Sequence, residues 1–285
     1  MPRRYTRSEV RARLDQQIAA QRPIVAAGAG CGLTAKCAVL GGCDLLVIYN
    51  SGRHRMAGLP SLVGYLPVGD ANAEVLEMGR REVFPVAADT PVIAGVLGVD
   101  PTREMESFLE DVRAAGFSGV INFPTVGRID GAFRHALEEV GLSYRREAAM
   151  IALARELDLF TLAYCFTPEE AAMMAESGVD AVVAHLKTTA GGLVGLRSSL
   201  GLTAAFEAVT AMFDATRAIA PDVVCLAHGG PVATPRETAE LYRHTEAVGF
   251  VAASSIERLP TEEAVIAQAR AFKSQQLTLH RRNQQ

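Results

Sequence analysis

Short apolar runs alternate with longer polar or amphipathic stretches along almost the whole chain. Runs at 24–27, 45–49, 91–97, 119–123, 159–165, 180–184, 223–227 and 249–253 are rich in Val, Ile, Leu and Ala. Continuous runs of this length predict strands buried on both faces, as in parallel sheets. Helical signals stand between them. Thr6 and Glu9 have capping-box spacing and predict a helix over 7–20. Thr167-Pro168 and Thr234-Pro235 place a capping hydroxyl before proline at the first helical position. Asp100-Pro101 reads as the same start. Further helices are predicted from Leu33 and over 71–83, 131–140, 143–156, 203–219 and 260–272.

Eight strands, each followed by helix, are what a closed parallel (β/α)8 barrel needs. A doubly wound open sheet normally has fewer strands at this length and a clearer dinucleotide fingerprint. No linker rich in Pro, Gly or Ser divides the chain. The expectation is one α/β TIM-barrel domain over 1–285, with the barrel at about 23–273, an extra amino-terminal helix and a polar tail.

Composition narrows the classes. Hydrophobic residues make up 49%, enough for a large core. With 28 basic and 32 acidic side chains the net charge is −4, which argues against a nucleic-acid partner. The basic clusters Arg3-Arg4 and Arg281-Arg282 are short and read as solvated ends. The charged start argues against a signal peptide, and no apolar run is long enough to span a membrane. Five cysteines without a C-x-x-C pair suit a reducing, cytoplasmic setting.

Candidate chemistry concentrates where the strands end, because active sites of such barrels lie at that face. After the second strand comes Asn50-Ser51-Gly52-Arg53, and about twenty residues pass before the helix near Asp70. So long a connection with amide, hydroxyl and guanidinium groups reads as a lid or anion-binding loop; the structural alternative is an oligomer contact. Later strands contribute Asn122, His185, Thr188, His228-Gly229-Gly230 and Ser254-Ser255. Loops after strands seven and eight often hold phosphate in this fold. A neighbouring His185 and His228 could move a proton or hold a metal, although no H-x-H or H-E-x-x-H spacing supports a metal. Acids are scarce at the mouth. Asp70, Glu74 and Glu77 are the metal candidates, and Glu257 adjoins Arg258. Exposed Met56, Leu59, Leu62 and Leu66 predict a homo-oligomer.

The segments YNSGRHRMAG, LPVGDAN, NFPTVGRIDGAFR, AHLKTTAGG, HGGP and ASSIERLP resemble the phosphoenolpyruvate hydrolase-like TIM-barrel family. The resemblance covers about 23–273. It implies kinship with the phosphoenolpyruvate mutase and isocitrate lyase superfamily, whose members act on small 2-oxo acids or phosphonates with Mg2+. It implies phosphonopyruvate hydrolysis, with Asn50-Ser51-Gly52 as the carboxylate-binding turn. One departure stands out: the superfamily has D-x-D at the end of strand three, and here that strand reads Val92-Ile93-Ala94-Gly95-Val96-Leu97-Gly98, without a carboxylate. Two hypotheses follow. In the first, Arg53, Asn50, Ser51, Gly52, Asn122, Thr188, Gly229, Gly230, Ser254 and Ser255 bind a small anionic substrate. His185 or His228 then moves a proton. In the second, the barrel is a sensor of small anions or an interaction module without turnover.

Overall fold

The computed structural model describes residues 3–197 and 200–277; Arg281 and Arg282 lie outside them. Strands β1 (Ile24–Gly28), β2 (Leu45–Ile48), β3 (Val92–Val96) and β4 (Gly119–Asn122) pair in parallel, each with the next. So do β5 (Phe160–Cys165), β6 (Ala181–His185), β7 (Val224–His228) and β8 (Gly249–Ala252), and β8 closes on β1. This is the (β/α)8 TIM barrel that the alternation predicts. Every strand residue except Val25 and Ala252 is buried. That is why the strands read as unbroken apolar runs: side chains pointing inward fill the barrel, and those pointing outward meet helices.

Helices α1 (Arg7–Ala19) and α2 (Gly32–Leu40) flank β1. The capping box of Thr6 and Glu9 forms at the start of α1. Buried Tyr5 donates its N–H to Ser118 Oγ at 3.0 Å, and Arg7 pairs with Asp180 at 2.7 Å. Ser118 and Asp180 immediately precede β4 and β6, so α1 caps the amino-terminal end of the barrel.

The connection after β2 is not an irregular loop. The stretch that reads as a polar break forms a helix at once, α3 (Asn50–Met56). A strap follows, with a 3-10 turn at Ser61–Tyr65, and then α4 (Ala71–Met78) capped by Asp70. A single π turn, Gly79–Val83, extends α4. Beyond β3, the next helix α5 (Met105–Ala115) starts later than Asp100-Pro101 predicts, and Glu104 is its cap. Asp100 is held in a turn of its own, accepting from Thr102 N–H at 2.9 Å. The remaining helices are α6 (Gly131–Glu139), α7 (Tyr144–Glu156), α8 (Pro168–Glu176), α9 (Leu202–Arg217), α10 (Pro235–His244) and α11 (Arg258–Lys273). The caps Thr167 and Thr234 form as their spacing predicts.

Candidate active site

At the carboxyl end of the barrel, α3, the strap and the strand ends enclose a cavity of about 30 Å3. That is room for one or two waters. Its wall carries Arg55, Ser51, Ser61, Thr188, Thr189 and Ser254 beside Tyr49, Tyr164, His185 and His228.

Arg55 and Glu257 form a buried ion pair at this mouth, with 3% and 1% of their side chains exposed. Arg55 Nε donates to Glu257 Oε1 at 2.7 Å. Glu257 Oε2 accepts from Gly30 N–H at 2.7 Å and from Thr34 Oγ1 at 3.2 Å. One carboxylate therefore ties the loop after β8 to α3 and to the loop after β1. The approach requires glycine: a Cβ on Gly30 would stand 2.0 Å from the Gly52 carbonyl. Arg55 Nη2 rests against the same Glu257 oxygen, so one edge of the guanidinium is spent on the ion pair. The side chain as a whole lines the cavity.

The two histidines end neighbouring strands in register, and their ring centroids are 4.5 Å apart. Their backbone partners fix opposite tautomers. His228 Nδ1 lies 2.6 Å from the Val251 carbonyl, which can only accept, so Nδ1 carries the proton and Nε2 is bare. His185 Nδ1 accepts the Lys187 N–H at 2.9 Å, so the neutral ring carries its proton on Nε2. Burial disfavours the imidazolium in both. It pushes His185 well below its usual range, with help from His228 and Arg128, and brings His228 down to about 4. The pair is neutral at pH 7 and offers one donor and one acceptor. Tyr164 packs against both rings, at 4.8 and 5.2 Å.

Side-chain hydrogen bonds hold the strap to this floor. Asn50 Nδ2 donates to the Gly64 carbonyl at 3.0 Å, and Ser51 Oγ donates to the Ser61 carbonyl at 2.8 Å. A Cβ on Gly64 would meet Ser51 Oγ at 2.1 Å, so only glycine lets the strap lie so close. Leu59, Leu62 and Leu66 are exposed on it.

The side of the mouth beside β3 is built differently. The Arg103 guanidinium bridges Asp100 and Asp70. Burial raises the Asp100 pKa, but hydrogen bonds from Thr102, Arg103 and Asn72 outweigh it and hold the carboxyl at about 2. The resemblance noted above implies Mg2+, yet the donors do not fit one. Asp70 caps α4 and pairs with Arg103, while Glu77 pairs with Arg53 and Arg81. Glu74 has one buried oxygen without a hydrogen-bond partner. Among the described residues no three His, Cys, Asp or Glu side chains cluster as metal ligands.

The structure brings His185, His228, Ser51, Thr188 and Ser254 to the cavity wall. It places the other candidates elsewhere, for identifiable reasons. Arg53 points away from the mouth and pairs with Glu77 at 3.0 Å and Glu82 at 2.9 Å. Asn122 is fully buried and pins Tyr164 N–H, through Oδ1 at 2.7 Å, to Glu147. Glu147 is itself driven up to about 7 by burial, against donors from Thr125, Val126 and Asn122. Asn50 is committed to the strap. Gly52 serves the close approach to Gly30. Gly229 and Gly230 have φ of 76° and 60° and pack on the backbone at Lys187 and Leu186. The Gly230 N–H is already given to the Lys187 carbonyl at 3.1 Å. Ser255 does not reach the wall. Not given a role by the sequence are Arg55, Ser61, Tyr49 and the true partner of Glu257. Arg258 instead pairs with Glu262 at 3.0 Å. One signal was present: Ser51 and Arg55 stand four apart and share a face once 50–56 is read as helix.

Comparison with known proteins places this geometry. Among solved structures, phosphonopyruvate hydrolase in complex with oxalate and Mg2+ superposes with a TM-score of 0.61 at 16% identity, covering 94% of this chain and 88% of that one. Oxaloacetate acetylhydrolase with the product oxalate gives 0.61 at 16%, covering 96% and 89%. At such identity these matches establish the fold alone. The ToMV resistance protein Tm-1(GCR237) of Solanum lycopersicum is 48% identical over 269 residues, 94% of this chain and 36% of its own length. Putative transcriptional regulatory protein y4pA of Sinorhizobium fredii is 36% identical over 251 residues, 88% of this chain and 41% of its own. The chain thus spans only about a third to two fifths of these relatives. No described helix is long and apolar enough to cross a membrane. The model of the phosphoenolpyruvate hydrolase-like family matches residues 9–275, and the chain belongs to that family.

Proposed function

We propose that this barrel is a hydrolase or lyase for a small phosphonylated or phosphorylated 2-oxo acid, with phosphonopyruvate the first candidate. The observation that carries the reading is a neutral histidine pair of opposite tautomers in one cavity wall with a buried arginine. Arg55 binds an anionic oxygen of the substrate, and Ser51, Thr188, Thr189 and Ser254 supply hydroxyls around it. His228 Nε2 takes a proton from the attacking water. Water oxygen bonds to phosphorus as the P–C bond breaks, and the released electron pair moves through the carbonyl onto its oxygen. His185 Nε2–H donates a hydrogen bond to that developing enolate. The proton on His228 then returns to the carbon, giving pyruvate and phosphate. Negative substrate in the cavity raises the basicity of His228 towards what this role needs. No step is routed through Mg2+, because the acids are committed elsewhere.

The test is release of phosphate and pyruvate from phosphonopyruvate, with and without added Mg2+. Turnover is expected in the wild type, and a loss of about 10²–10⁴-fold in His228→Asn. The filled Asp70–Arg103–Asp100 site favours a second reading, an anion sensor without turnover. That reading predicts ligand-dependent stabilisation in thermal melts and no phosphate.

A further inference from the structure

We infer that Tyr65 is a specificity-determining residue: its ring is the wall that keeps the tail of a 2-oxo acid out of a second, larger cavity beside the histidines' own. The inference rests on the reading of the mouth as a 2-oxo acid site and adds to it what limits the length of the acid.

A cavity of about 420 Å3 lies on the β3 side of the strap, far larger than the 30 Å3 beside the histidines. Adjacent residues part between the two. Ser51 lines the small cavity and Asn50 the large one; Phe123 lines the small one and Pro124 the large one. The strap divides in the same way, with Leu62 on the first and Gly64 on the second. Among the described residues Tyr65 alone lines both. Its ring is fixed in that place. Asn50 Nδ2 holds the preceding Gly64 carbonyl at 3.0 Å. The ring meets Phe123 edge-on, with centroids 5.1 Å apart, and Phe123 packs on Tyr49 at 4.2 Å. The partition is therefore an aromatic cluster whose one member on the strap is Tyr65.

The lining of the larger cavity decides which tail it would take. Leu66, Leu97, Val126 and Ile129 give it apolar surface. Its charged groups are Asp70, Asp100 and Arg103, one guanidinium against two carboxylates. An apolar tail gains there by leaving water. An anionic tail meets excess negative charge and an arginine already matched. With the Tyr65 ring in place, an acid whose head lies at Arg55 and the histidines has no path for such a tail. Removing the ring joins the two cavities and admits it.

Calorimetric titration with acids that share one head and differ in tail tests this: pyruvate; 4-methyl-2-oxopentanoate, with a branched apolar tail; and 2-oxoglutarate, whose tail ends in a carboxylate. Wild-type protein should bind pyruvate more tightly than either longer acid. Tyr65→Ala should strengthen 4-methyl-2-oxopentanoate about tenfold or more and leave pyruvate within about threefold. It should strengthen 2-oxoglutarate far less. Tyr65→Leu, a milder truncation, should shift the preference in the same direction by a smaller factor. Tyr65→Phe keeps the ring and should match wild type. Thermal melts check that the fold is kept. If the folded Tyr65→Ala and Tyr65→Leu proteins keep the wild-type ratio of branched acid to pyruvate, Tyr65 is not the wall, while the anion site stands. If 2-oxoglutarate gains as much as the branched acid, the tail does not enter the cavity beside β3 and the inference is wrong. If wild type binds none of these acids, the reading of the mouth fails and the inference falls with it.

Discussion

Two arginines flank the same barrel mouth and meet opposite fates. Arg103 has two carboxylates, Asp70 and Asp100, and its charge is more than cancelled. Arg55 shares one carboxylate whose second oxygen is already occupied by Gly30 N–H and Thr34. The first arrangement is closed: an anion brought to it meets excess negative charge. The second sets one carboxylate against one guanidinium, and that guanidinium lines a cavity. The difference is in stoichiometry, not residue type. It also separates the two halves of the site: the side near β2 and β8 has a guanidinium balanced by a single carboxylate, and the side near β3 has a guanidinium where a cation would otherwise be drawn.

The largest effect should come from breaking the open pair. Arg55→Ala leaves Glu257 charged and buried without its partner. Loss of one member of such a pair costs about 3–5 kcal/mol. Urea unfolding should show it, and oxalate binding should vanish in whatever protein remains folded. Arg55→Lys separates the two losses, since it keeps the charge but not the planar donors. A folded Arg55→Lys protein that binds oxalate as wild type does would contradict the assigned role.

Next in size is the acid response. The folded pKa of His228 is depressed to about 4, below the usual value near 6.5. Between those values the unfolded chain binds a proton that the folded chain does not, so stability rises with pH across the window and falls as pH drops through it. The group is fully buried, and the shift corresponds to about 3 kcal/mol lost by pH 4. His185 acts in the same direction. Denaturant midpoints measured from pH 7 to pH 4 should fall steeply, and less steeply in His228→Asn. A flat profile in the wild type would mean that the rings are hydrated and already titrate normally.

The barrel was legible because burial on both faces leaves a direct mark, an apolar run, at every strand. Local caps were legible for the same reason: Thr6 with Glu9, and Thr234 with Glu237, act within four residues. The histidines were legible because strand ends face the mouth in this architecture. Arg53 and Arg55 were not separable in the same way. They are two apart, and on a helix that turns them to opposite faces, so the choice depends on recognising α3. Its sequence, with Asn, Ser and Gly in the first turn, does not advertise a helix; docking of Gly52 on Gly30 and of Ser51 under the strap secures it. Asn50, Asn122, Gly229 and Gly230 looked like ligand contacts because polar and glycine residues at strand ends serve two purposes. Their hydrogen bonds and close approaches here are used to hold loops to the barrel.

The smallest effect should follow from opening the closed arginine. In Arg103→Ala, Asp70 loses a half-exposed ion pair, its side chain being 51% accessible, which is worth about 0–1 kcal/mol. Asp100 is more enclosed, with 7% exposure, but keeps hydrogen bonds from Thr102 and Asn72. The stability cost should stay near 1 kcal/mol, and oxalate affinity should remain within about twofold, since Arg103 belongs to the side that offers anions nothing. Two carboxylates are then freed on one side of the mouth. Mg2+ at millimolar concentration should raise the melting temperature of Arg103→Ala and leave the wild type unmoved, because a divalent cation needs acids that no guanidinium has already claimed. Paired melts with and without Mg2+, run beside oxalate titration, decide it. If oxalate binding collapses in Arg103→Ala, the two arginines form one anion site and the contrast between them fails. If wild type is stabilised by Mg2+ as strongly as the variant, the cation binds away from Asp70 and Asp100, and the guanidinium is not what keeps it out.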